Sequence, residues 1–351
     1  MRVGAVDLPS PFAVAPMAGM TDTAFRRLVK RQGGCGLVVS EMVSSEGLVR
    51  GIDRTLEYAE FTEEERPVSI QIFGGDPTKM AEAARIVEGI GADIVDVNMG
   101  CPVPKIAKHN AGCSLMREPD HAATVIEAMA KAVKIPVTVK MRAGWNDADR
   151  NAPTLARLVE QAGACAVAIH GRTAAQSYSG SADWNLVAEI AEHLTIPVFG
   201  SGDCVEPEQI LQRMNSRVSG VLVGRGVLRN PWILAQASDL AAGRPARSIS
   251  RTERGQFLLD YLELLLEDGV AEPDGFRHAA PGASARHEVQ TSHERWVINK
   301  IRALATYYTK GFEQGSHLRT AINRTTSVLE LRELISAFFF EPEPTTALAL
   351  S

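Results

Sequence analysis

Apolar residues along this chain gather in short runs, at 12–15, 37–40, 68–73, 93–98, 137–141, 166–170, 198–200 and 220–223. The runs are mostly continuous rather than alternating, which predicts strands buried on both faces, as in a parallel sheet covered by helices. Between them, alanine and leucine recur at helical spacing. Thr21 or Asp22 can cap a helix that Gly33-Gly34 ends. Asp76-Pro77 opens another, with proline at its tolerated first turn. Eight strand–helix units within about 225 residues predict a (β/α)8 TIM barrel, an α/β fold, with a doubly wound open sheet as the alternative.

The texture changes after Pro231-Trp232. Residues 244–250 read as a polar linker and 256–267 as an apolar helix. Residues 268–293 mix Gly, Pro, Ala, Ser and His with few large apolar side chains and are expected to be a flexible insertion. Helical pattern resumes at 295–309, 318–323 and 328–339, and the Glu341-Pro342-Glu343-Pro344 stretch cannot continue a helix. The expected organisation is a barrel domain over 1–240 and a small helical domain over 250–340.

Composition narrows the class. A chain of 351 residues, 45% apolar and 23% charged, has ample core for a globular protein. No apolar run approaches the roughly 18 residues of a membrane helix, and Asp7 and Pro9 come too early for a secretory signal. Five cysteines without a CxxC pair are expected to be reduced thiols in a cytoplasmic protein. They cluster with no His or Cys partners, so no metal site is expected. A net charge of -5 argues against indiscriminate coating of nucleic acid while leaving room for a local basic face.

The candidate chemistry lies where strands end. The stretch Asp93-Ile94-Val95-Asp96-Val97-Asn98-Met99-Gly100-Cys101-Pro102-Val103-Pro104-Lys105 begins as a strand and breaks at Gly100. It puts Asn98 and Cys101 at the carboxyl edge of the sheet, where α/β folds bind ligands. Gln71, Lys140, His170 and Arg172 also follow predicted strands. Two glycine clusters, Gly200-Ser201-Gly202-Asp203 and Gly224-Arg225-Gly226, close the seventh and eighth strands, the usual phosphate grip of a barrel. They argue for a phosphorylated ligand held by Arg225. Flavin mononucleotide (FMN) satisfies this set, although these residues alone do not separate it from another phosphate ligand. Lys140 would place positive charge near the flavin ring, Gln71 would meet its pyrimidine edge, and Pro16-Met17-Ala18 would form an apolar floor.

The Val97-Asn98-Met99-Gly100-Cys101-Pro102 motif, with Lys105 and Ala111-Gly112 downstream, resembles the signature of the tRNA-dihydrouridine synthases, nearest the bacterial B subgroup, and the resemblance spans residues 11–340. It implies reduction of the C5=C6 bond of a tRNA uridine, with FMN as cofactor and NADPH as reductant. It implies FMN contacts by Pro16, Met17, Ala18, Gln71, Lys140, His170, Ser201, Gly202, Asp203, Gly224 and Arg225. Ser201 departs from the asparagine usual in that subgroup. Cys101 would protonate C5, since a thiol still carries its proton at neutral pH; Asn98 would hold the uracil edge, and Arg172 would contact that edge or a phosphate.

The C-terminal region suits an RNA partner. Lys300, Arg302 and Lys310, with Tyr307-Tyr308, interleave basic and aromatic groups in an otherwise acidic chain. A monomer is expected. Two other readings stay open: a flavin barrel acting on a free pyrimidine, similar to the dihydroorotate dehydrogenases, and a catalytically silent tRNA-binding flavoprotein.

Overall fold

The structure, a computed structural model, describes residues 1–107, 110–267 and 285–341. It divides into two compact units, Met1–Arg247 and Ser248–Ser351. The first unit holds strands β1 (Arg2–Val3), β2 (Val6–Asp7), β3 (Phe12–Val14), β4 (Leu37–Val39), β5 (Val43–Ser44), β6 (Val68–Phe73) and β7 (Ile94–Met99), followed by β8 (Val137–Arg142), β9 (Ala166–His170), β10 (Val198–Ser201) and β11 (Gly220–Val223). Strands β3, β4, β6, β7, β8, β9, β10 and β11 pair in parallel, and β4 meets β6 to close the ring. This is the eight-stranded barrel that the apolar runs predict.

Alternation along each strand divides the barrel. Val95 and Val97 of β7 are fully buried, as expected where helices cover the outer face, while Ala13, Ala15, Leu37, Val39, Ile94, Ala166, Phe199 and Leu222 share an inner cluster with Val3 and Leu8. Val3 lies in the antiparallel β1–β2 hairpin, paired with Val6, and Leu8 directly follows it. A Cβ on Gly4 would meet Pro136 at 2.7 Å, just ahead of β8. The hairpin therefore plugs the N-terminal mouth of the barrel, an element too short to leave an apolar run in the sequence.

Toward the other end the inward positions turn polar. Gln71 lies opposite Asp96, Asp96 opposite Thr138, Asn98 opposite Lys140, Arg142 opposite His170, and His170 opposite Ser201. Register alone thus builds a continuous polar rim.

The helix Thr23–Gln32 is capped by Asp22, whose side chain accepts from the Phe25 amide at 2.8 Å, and Gly33 ends it with φ of 89°. Its Arg26 is buried against Glu65 at 2.5 Å and donates to the Thr21 carbonyl at 2.7 Å and the Glu60 carbonyl at 2.8 Å. This pair fastens the segment after β3. Removing one partner of such a buried pair typically costs about 3–5 kcal/mol.

The second unit holds helices Arg251–Glu267, Ala285–Tyr308, Gly315–Arg324 and Val328–Phe340. Phe257, Leu258, Tyr261, Leu265, Ile301, Leu304, Tyr308, Leu331 and Phe339 form its core. Gly255 is required there, since a Cβ would lie 2.3 Å from that of Phe339. The expected insertion over 268–293 is shorter at its far end, because the helix already begins at Ala285; residues 268–284 lie outside the described ones. Among the described residues, no helix is long and apolar enough to cross a membrane.

Candidate functional site

The Cys101 loop is held on three sides. The Asn98 side-chain oxygen accepts from the Gly100 amide at 3.1 Å and the Cys101 amide at 2.9 Å. The Cys101 carbonyl accepts from the Cys113 amide at 3.0 Å. Gly112 has φ of 59° and would drive a Cβ to 2.8 Å from the Cys101 carbonyl, so the glycine of the downstream motif is sterically required. Cys101 itself is half-buried, whereas Cys113 is buried and burial pushes its thiol up. The first therefore stays within reach of a ligand and the second does not.

Arg142, which the sequence reading did not single out, ties this loop to its neighbour. It donates through Nε to the Gly100 carbonyl at 2.7 Å and through Nη1 to the Thr173 and Ser177 carbonyls, each at 3.0 Å. Its position two residues beyond Lys140 on β8 puts both on the inner face.

Lys140 is half-buried on the inner face of β8. Burial, reinforced by the Arg142 charge, pulls its ammonium down to about 8, with Asp96 and Cys101 acting in the opposite sense. His170 is pushed down to about 2 by burial and by Lys140, Arg142, Arg172 and Arg225 around it. It is thus a neutral imidazole at any physiological pH. An anionic or carbonyl-rich ligand meets here one titratable cation and one neutral ring.

Ser201, Gly202 and Asp203 leave β10 as a tight turn. Gly202 has φ of 122°, and a Cβ would meet Ala182 at 2.6 Å and His170 at 3.0 Å. At Gly224 the same atom would meet the Met17 sulfur at 3.6 Å and the Ala15 Cβ at 3.7 Å, ordinary contact with no clash. Gly224 and the exposed Arg225 beside it stand where the sequence places the phosphate grip. Arg225 lies 4.7 Å over the Tyr178 ring and only 4.0 Å from Asp203, so its guanidinium is loosely committed. Burial would raise the Asp203 carboxyl, but the Ala182 amide and Arg172 hold it below the usual carboxylate range. Pro16 and Met17 are half-buried and Ala18 exposed on the segment after β3, where Met17 and Thr21 bond each other. Beneath this rim, a cavity of about 30 Å³ is lined by Pro16, Ser69, Asp96, Thr138, Lys140 and apolar side chains of the inner cluster.

Several expected contacts differ. Arg172 is expected at the uridine or at a phosphate. Instead it is 2% exposed, with donors on the Ser179 carbonyl at 3.0 Å, the Gly180 carbonyl at 2.6 Å and the Asp203 carboxylate at 2.7 Å. It braces the loop after β9. Gln71 was expected on the flavin edge, yet its amide nitrogen donates to Asp96 at 2.6 Å and its oxygen accepts from Asn98 at 2.7 Å, which leaves one N–H free. In the second unit, Arg302 donates to the Ile322 carbonyl at 3.2 Å and the Thr325 carbonyl at 2.6 Å, satisfying the end of the helix Gly315–Arg324. It is a helix cap and not a free phosphate contact. Tyr308, expected to stack on bases, is fully buried 5.5 Å from the Phe257 ring. Lys300 lies 5.2 Å over the Trp296 ring and Lys310 is exposed.

Residues 13–338 match the family model described as dihydrouridine synthase (Dus). Among curated proteins, the chain is 36% identical to a "Probable tRNA-dihydrouridine synthase" of Rickettsia bellii, over 97% of this chain and 98% of that one. It is 38% identical to a "tRNA-dihydrouridine synthase B" of Xanthomonas campestris, over 86% of this chain and 91% of the relative. A protein of the same name from Pseudomonas aeruginosa is 39% identical over 75% of this chain and 79% of its own length.

Proposed function

The chain belongs to the dihydrouridine synthase family, and on that basis we propose that it reduces the C5=C6 bond of a uridine in tRNA, with FMN as cofactor and NADPH as reductant. The observation that carries the reading is the meeting of the half-buried Cys101, Asn98, Lys140 and the Gly224–Arg225 cradle on one barrel rim. Bound flavin would supply the hydride for C6 of the uracil ring. Pro16, Met17, Ala18, Ser201, Gly202, Gly224 and Arg225 would hold it, with the Gly224 backbone and the loosely committed Arg225 taking the phosphate. Lys140 would stabilise negative charge on the bound ring, and the neutral His170 would contact it without adding charge.

Cys101 gives its proton to C5, and its backbone amide on Asn98 sets where the thiol stands. Asp203 acts at one remove, by holding Arg172 and the Ala182 amide around the cradle. Lys300 and Lys310 make phosphate contacts with the tRNA body, while Arg302 keeps the helices that carry them in register. The test is to incubate purified protein with NADPH and tRNA from a strain deleted for the gene, then digest and weigh the nucleosides. A gain of two hydrogens on one uridine is expected. Turnover of free uridine with none of tRNA would overturn the substrate, and no reduction of either would overturn the reaction.

A further inference from the structure

Side-chain hydrogen bonds run without interruption across three strands and end on the backbone of the Cys101 loop. Thr138 Oγ1 donates to one oxygen of the Asp96 carboxylate at 2.6 Å, and Gln71 Nε2 donates to the other at 2.6 Å. Asn98 Nδ2 donates to Gln71 Oε1 at 2.7 Å, and Asn98 Oδ1 accepts from the Gly100 and Cys101 amides. Strand alternation puts Asp96 and Asn98 on one face of β7, and register sets Gln71 and Thr138 on either side of Asp96.

The direction of this chain follows from its loop end. A backbone N–H can only donate, so Asn98 must turn its oxygen to the loop and its NH2 to Gln71. Gln71 must then accept with its oxygen and pass its NH2 to Asp96. Gln71 is 1%, Asp96 5% and Asn98 8% exposed, so a reversed amide would leave two donors or two acceptors facing each other away from solvent. The carboxylate, which has no proton to pass on, is the terminus that makes the whole order self-consistent.

We propose that Asp96 is a positioning residue: it sets the orientation of the Gln71 and Asn98 amides and thereby seats the Cys101 backbone. The second Asn98 N–H donates to the Met42 sulfur at 3.8 Å, a weak acceptor that a ligand carbonyl would outcompete, and Gln71 has one further N–H outside the chain. The rim offers donors, which suits a ligand presenting carbonyl oxygens. Only this last step rests on the proposed substrate, since both uracil and a flavin ring carry carbonyls. Burial raises the Asp96 carboxyl, countered by Gln71 and Thr138. A proton taken up would sit on the oxygen facing the Thr138 hydroxyl, which can accept, and the Gln71 end would keep its direction.

The order of donors and acceptors can be tested without assaying tRNA. Asp96→Asn can still accept from Gln71 while giving its NH2 to the Thr138 hydroxyl, so amide exchange at Gly100 and Cys101 and alkylation of Cys101 by iodoacetamide should stay near wild type. Asp96→Leu, of similar size, should speed both by about tenfold, the size of one lost buried hydrogen bond. If Asp96→Leu does not fold, the carboxylate is moved along the strand instead. Asn98→Asp alone sets acceptors against each other and should loosen the loop. Asn98→Asp with Asp96→Asn lets Gln71 turn over and should restore slow exchange. Equal exchange in the single and double variants, or an Asp96→Leu protein that folds with an unaltered Cys101 loop, overturns the proposal. Because these readouts need no flavin and no tRNA, loss of the positioning role and loss of the proposed reaction are told apart.

Discussion

Lys140 should make cofactor binding pH-dependent between pH 7 and pH 9, on either side of its lowered value of about 8. Its ammonium is held down to about 8 in the ligand-free protein, chiefly by burial and by Arg142. The ring's C2 carbonyl and the phosphate dianion both favour the charged form, so FMN should bind the protonated lysine. Protonated lysine makes up about nine-tenths of the protein at pH 7 and about one-tenth at pH 9. Affinity should therefore weaken about tenfold between these two values. The window lies above the phosphate's own second ionisation, near 6, so the ligand's charge there is constant. The same shift has a consequence for stability. The folded value lies below the unfolded one near 10.4, so the unfolded chain binds more protons between them, and the ligand-free protein should gain stability as pH rises from 8 toward 10. Quenching of flavin fluorescence at five pH values gives the profile. Lys140→Met should bind about 10–100-fold more weakly at pH 7, the loss of one charged hydrogen bond, with a flat profile. A flat wild-type profile, or a slope that survives in Lys140→Met, would refute the placement of this lysine at the ring.

Other outcomes are equally specific. Cys101→Ala should retain flavin and tRNA binding while single-turnover oxidation of reduced flavin by tRNA slows by about 10²–10⁴-fold; stopped-flow absorbance reads this directly. Arg225→Ala should release flavin on gel filtration, while the flavin-free variant and flavin-free wild type share one thermal midpoint, because a half-exposed, loosely held guanidinium contributes little to folding. Arg302→Ala should lower the stability of the helical unit by about 1.5–3 kcal/mol, through two lost carbonyl contacts. Among tRNA titrations at several salt concentrations, Lys310→Ala should flatten the slope by about 0.7–0.9, whereas an altered affinity in Arg302→Ala with unchanged stability would contradict its capping role.

The sequence reading located the barrel strands to within one residue at most ends, because a strand covered on both sides must be apolar throughout and so stands out against its helices. The two-residue strands Arg2–Val3, Val6–Asp7 and Val43–Ser44 left no such run. At the site, residues named for lying just past a strand did come together: Asn98, Cys101, Lys140, His170, Gly224 and Arg225 share one rim. What escaped was partnership. That Arg172 and Arg302 are cations is written in the chain. That their donors end on Gly180 and Thr325 carbonyls depends on where distant loops arrive. Asp96 and Arg142 were passed over for a related reason: each acts across a strand register, and pairing is not encoded in local spacing.

The hairpin plug makes the barrel's order of assembly unusual. Val3 and Leu8 share a cluster with Ala166 and Phe199, and Gly4 sits against Pro136. A nascent chain thus presents these two apolar side chains well over a hundred residues before the surfaces that cover them exist. Contacts of such long sequence separation form late and slow the final closure. Until β8 and β9 are made, the segment is an exposed greasy leader, the natural handle for a holdase and the first place an overexpressed chain would aggregate. A soluble fusion partner ahead of Met1 should therefore raise the yield of folded protein more than the same partner placed behind the helical unit.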